Sequence, residues 1–117
     1  MTDRVRAYIE NHINLLEHQP ELFISDATSY LSYHETTELV HVLKYAGIDL
    51  QEYVLTYLHK HIVEELNAYK GERVLHFAAD TPPFGISLKD IQELIIDIAM
   101  SHGFTINGPS GEEYLTK

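Results

Sequence analysis

A chain of 117 residues has the size of one domain, and 44% hydrophobic against 22% charged residues is the balance of a folded protein rather than a disordered one. The absence of cysteine excludes a disulfide framework, a thiolate zinc site and a cysteine nucleophile, and favours a cytoplasmic setting. Eighteen Asp and Glu against eight Lys and Arg give a formal charge of −10, which repels phosphate backbones and anionic lipid and so argues against nucleic acid and membrane as partners.

The first residues run directly into an amphipathic pattern, without the apolar core of an export signal. Val5, Tyr8, Ile9, His12, Ile13 and Leu16 recur at helical spacing, and Thr2 is placed to cap the helix they form. Pro20 suits the first turn of a second helix, with Leu22, Phe23, Ala27, Tyr30 and Leu31 as its apolar side. Ser32-Tyr33-His34-Glu35 has the Ser-x-x-Glu form of a capping box, which predicts a third helix to Ala46. Gly47 closes it, and Ile48 to Tyr53 start a fourth whose stripe of Leu50, Val54, Tyr57, Leu58, His61, Ile62, Leu66 and Tyr69 ends near Gly71.

Past Gly71 the run Arg73 to Ala79 is short, apolar and β-compatible, and reads as a strand, with Asp80 to Gly85 as a proline-bearing loop. Ser87 caps a fifth helix that carries Leu88, Ile91, Leu94, Ile95, Ile98 and Ala99 to Gly103. Phe104 to Asn107 and Tyr114 to Thr116, joined across Gly108-Pro109-Ser110-Gly111, read as a terminal hairpin. The fold class expected is therefore mostly α with a small β element: one domain over 1–117, helical through 1–70 and strand, helix and hairpin over 71–117. The most apolar stretch, Ile91 to Met100, is broken by Glu93 and Asp97 and is too short for a membrane span.

Three groups of residues could carry chemistry. His34, Glu38 and His41 share one helix face at i, i+4 and i+7, and imidazole and carboxylate are good ligands for zinc or iron; the near match to His-Glu-x-x-His fails because Glu38 stands where the second His belongs. His61 with Glu64 or Glu65 reverses the Glu-x-x-His order of di-iron bundles, and a half-buried His with a neighbouring partner is the simpler reading. A helix-turn-helix around Ala46-Gly47-Ile48, or a winged helix over Ile86 to Thr116, would present Asp49 and Glu52, or Glu112 and Glu113, to DNA.

No phosphate loop or nucleophile elbow is present, so catalytic residues and a cofactor are not assigned. The leading expectation is a small acidic, non-catalytic protein-interaction module of inhibitor, immunity or accessory type that docks a basic partner; the metal-binding protein and the DNA-binding protein are its alternatives. Of eight Tyr, Tyr30 and Tyr33 are expected to be exposed. The apolar stripes over 5–16 and 50–69 could leave a face for a symmetric homodimer. His61 and His76 are expected to be buried and neutral, His61 on the helix stripe and His76 in the strand.

Overall fold

The computed structural model describes residues 1–81 and 84–117; Pro82 and Pro83, on which the expected proline loop depends, lie outside the described residues. Among the described residues the chain forms α1 (Asp3–His18), α2 (Pro20–Tyr30), α3 (Tyr33–Tyr45), α4 (Leu50–Asn67), α5 (Val74–Ala79), α6 (Leu88–Ser101), β1 (Thr105–Asn107) and β2 (Tyr114–Thr116). The fold is mostly α with a small β element. Contacts gather into two compact units, Met1–Tyr57 with residues 84 and 85, and residues 58–81 with Ile86–Lys117, the boundary falling inside α4.

In the first unit the three leading helices follow one another with almost no loop. The Thr2 hydroxyl accepts from the Val5 amide and starts α1, which buries Val5, Tyr8 and Leu16. Gln19 ends α1 and Pro20 opens α2, since a proline at the first helical position sacrifices an amide that has no partner there in any case. Phe23, Ile24 and Ala27 form the buried side of α2. Ser32 and Glu35 make the full capping box of α3, with Glu35 N donating to Ser32 Oγ at 3.2 Å and Ser32 N donating to Glu35 Oε1 at 3.0 Å. Gly47, at φ +83°, ends α3 in a Schellman turn: its amide donates to the Lys44 carbonyl and the Ile48 amide to that of Leu43.

In the second unit α6 uses the same devices. The Ser87 hydroxyl accepts from Asp90 N at 3.1 Å, and Gly103 and Phe104 close the helix with amide bonds to Met100 and Ala99. Ile91, Ile95, Ile98 and Ala99 are its buried face. β1 and β2 pair antiparallel with Ile106 opposite Leu115, as the hairpin expectation required. The Tyr69 hydroxyl accepts from the Leu115 amide and donates to the Glu72 carbonyl, tying the hairpin to the end of α4.

The strand expected over residues 73–79 is corrected, and with it the burial of His76. Residues 74–79 are helical, not a strand: only Arg73 bridges to Tyr114, and Val74, Phe77 and Ala78 are buried at the i, i+3, i+4 spacing of a helix. The run is apolar at nearly every position and so suits either period, and its two alanines favour helix where a short hairpin offers a strand so little edge. His76 consequently turns outward and is exposed, whereas His61 is half-buried. On the stripes considered for a dimer, Val5, Tyr8 and Leu16 of α1 and Leu50, Val54, Leu58, Ile62 and Leu66 of α4 are buried, while Ile9, His12 and Ile13, and Tyr57, His61 and Tyr69, are half-buried.

Phe84 belongs to the first unit, and its ring is completely buried although its φ of +45° lies in the left-handed region that a bulky residue avoids. Burial of the ring must outweigh that strain, at about 2–3 kcal/mol for a full phenyl group. Phe84→Ala should therefore lower stability by about 3–5 kcal/mol in urea unfolding. A loss under about 1 kcal/mol would mean that the ring does not fill the core as described.

Candidate functional site

The first unit carries a cleft of about 320 Å³ lined by Arg4, Ala7, Tyr8, Asn11, His12, Tyr30 and Leu31. It forms because α1 and α2 both carry aromatic residues where the helices meet. Tyr8 and His12, one turn apart on α1, stack with centroids 4.2 Å apart and planes 8° from parallel. Tyr30, at the end of α2, stands 5.8 Å from the His12 ring at 56° and 6.2 Å from Tyr8 at 53°, so the three rings form one contacting cluster.

Tyr8 is the base of this arrangement. Its ring is buried and meets Phe23 edge-on at 5.2 Å and 67°, while its hydroxyl donates to the Phe23 carbonyl. Burial pushes the phenol above its ordinary range, and the nearby charge of Asp26 adds to that. Asp26, four residues before Tyr30 on α2, has no Lys or Arg in ion-pair contact among the described residues.

The imidazole of His12 is oriented by its own helix, since Nδ1 lies 3.1 Å from the Tyr8 carbonyl. A carbonyl can only accept, so Nδ1 carries a hydrogen and donates it. Tyr30 is 61% exposed, so its side of the cluster is open to a partner. At the rim, Arg4 donates to the Tyr30 carbonyl and its Nε lies 3.4 Å from Glu35 Oε2. Glu35 also accepts from the Thr2 hydroxyl at 3.4 Å. The hydrogen bond from the Ser32 amide holds the Glu35 carboxyl below its ordinary range, with Arg4 and Thr2 contributing less.

The residues selected from sequence are dispersed by comparison. His34 and His41 are exposed on α3. Glu38 turns to the start of the chain, its Oε1 accepting from the Thr2 amide at 3.1 Å and lying 3.4 Å from the α-amino group of Met1. Among the described residues no group of three His, Asp or Glu is placed to hold a metal ion. In the second unit His61 and Glu65 line a smaller depression of about 150 Å³ with Glu72, Phe77, Asp80 and Thr81. Among the described residues no helix is long and apolar enough to cross a membrane. Tyr30 and Tyr33 are exposed as expected, but the pairing of Tyr30 with His12 and Tyr8 across two helices had no counterpart in the sequence pattern.

No family model matches this chain, and no curated protein or solved structure is significantly similar to it.

Since the Tyr8 hydroxyl is buried against a backbone carbonyl, Tyr8→Phe should cost about 1–3 kcal/mol in urea unfolding, the penalty for removing one partner of a buried hydrogen bond. A variant as stable as the parent would show that this bond does not fix α1 on α2.

Proposed function

We propose that the protein is a small acidic, non-catalytic interaction module, of inhibitor, immunity or accessory type, that docks a basic partner protein in the cytoplasm. The observation that carries this reading is the open aromatic cleft of α1 and α2 on a chain of charge −10. Tyr side chains that are rigidly held and partly exposed supply large contact area at low entropic cost, and aromatic residues are enriched where interfaces bind most strongly. The surrounding negative charge accelerates encounter with a positive surface and disfavours acidic competitors.

The test is co-purification from a native lysate in about 50 mM salt, followed by reconstitution with the purified captured protein and stopped-flow association in about 50 and 500 mM salt. The expected partner is basic, and its association rate should fall at least about tenfold between the two conditions. Retention of no protein at low salt, or a rate indifferent to salt, would contradict the reading.

A further inference from the structure

We propose that Asn107-Gly108, where β1 enters the hairpin loop, is a self-deamidation site, and that the bond from the Asn107 side chain to Thr116 restrains it. This is independent of the docking function proposed above. In such a reaction the nucleophile is the backbone nitrogen of the residue that follows the asparagine, and a glycine there hinders the approach least and moves most freely. Gly108 is exposed at φ +95°, and among the described residues its amide donates no hydrogen bond. Asn107 is half-buried at the end of β1, beside an exposed loop from which water reaches it. Asn11, Asn14 and Asn67 differ on both counts, since each lies within α1 or α4 and is followed by a residue with a side chain.

The Gly108 nitrogen gives its proton to hydroxide and attacks Cγ of Asn107. The new N–C bond closes a cyclic imide as the Cγ–Nδ2 bond breaks, and Nδ2 takes a proton from water and leaves as ammonia. Water then opens either C–N bond of the imide. Opening at Cγ leaves aspartate at 107, and opening at the main-chain carbonyl leaves an isoaspartyl link that runs through Cβ and Cγ. The net change is one water taken up and one ammonia released, with nothing oxidised or reduced. A neutral corner thereby becomes acidic, and the isoaspartyl product adds a main-chain atom to β1, against the register in which Asn107 faces Tyr114.

The folded hairpin slows this step. Asn107 Nδ2 donates to Thr116 Oγ1 at 2.6 Å, which draws the carboxamide across to β2 instead of along its own chain toward Gly108. Thr116 Oγ1 also lies 2.7 Å from Thr105 Oγ1. A two-stranded sheet of three-residue strands is weak by itself and opens locally at low cost, so the restraint retards attack without abolishing it.

Incubation of the folded protein in mildly alkaline buffer, followed by peptide mass mapping, an isoaspartate-specific methylation assay and measurement of released ammonia, tests this. Acid should accumulate at 107 and not at Asn11, Asn14 or Asn67, with an equal amount of ammonia. Thr116→Val keeps the shape but removes the acceptor, and should speed conversion about twofold to tenfold, the net worth of one side-chain hydrogen bond. Thr105→Val removes the contact between the two hydroxyls but keeps the Asn107 bond, and should convert nearly at the parent rate. The Leu115 amide signal in NMR spectra shows that each variant keeps the hairpin. Absence of acid at 107 in the folded parent, or conversion of the helical asparagines at the same rate, overturns the site. A Thr116→Val rate equal to the parent's, or matched by Thr105→Val, overturns the restraint.

Discussion

The first unit depends on where the Tyr8 hydroxyl can find a hydrogen-bond partner. A buried phenol without one is costly, and the acceptor within reach is the Phe23 carbonyl on the neighbouring helix. That carbonyl has a second lone pair beyond the one the α2 ladder uses, so both needs are met without breaking the helix. Once the bond forms, α1 cannot rotate or slide on α2 without losing it. The same constraint places the Tyr8 ring edge-on to Phe23 and leaves its other face to His12. The ring cluster with Tyr30 is a consequence of this one anchor.

A second constraint acts at the Arg4 rim of the cleft. Glu35 satisfies the Ser32 amide at the start of α3 while accepting from Thr2 and pairing with Arg4 at the start of α1. One carboxylate therefore serves a helix cap and joins two helix starts. Its depressed pKa makes this junction complete above the ordinary carboxylate range, and it is lost only as pH falls through the lower value of the folded form. Arg4, so held, forms a charged rim beside the rings without offering its cation to a ligand.

Local devices were legible from the residues alone. The capping box at Ser32 and Glu35, the Schellman glycines at Gly47 and Gly103, the Ser87 cap and the hairpin from Thr105 to Thr116 each depend on side chains a few positions apart, where spacing and geometry are nearly the same information. Residues 74–79 were not legible, because an almost uniformly apolar run carries no period to decide helix from strand. The aromatic cleft was legible only in part. The sequence marked Tyr30 as exposed and His12 as belonging to the apolar side of α1, but the approach of these two residues, 18 positions apart, is set by how the two consecutive helices pack. Conversely, the spacing of His34, Glu38 and His41 gave them a shared face, yet their spacing could not show that Glu38 would be engaged by Thr2 and Met1.

The cleft depends on Tyr8 being a buried, hydrogen-bonded phenol. Because its folded pKa is raised, the neutral form stabilises the fold below the ordinary phenol value of about 10, and that stability is lost as pH rises from there toward the folded value. The most direct measurement follows the Tyr8 ring carbon signals, assigned by comparison with Tyr8→Phe, from pH 8 to pH 11. They should stay at their neutral position throughout the range in which an ordinary phenol ionises. A Tyr8 that ionises with a midpoint near 10 while the protein remains folded would contradict the anchor, and with it the cleft that depends on it.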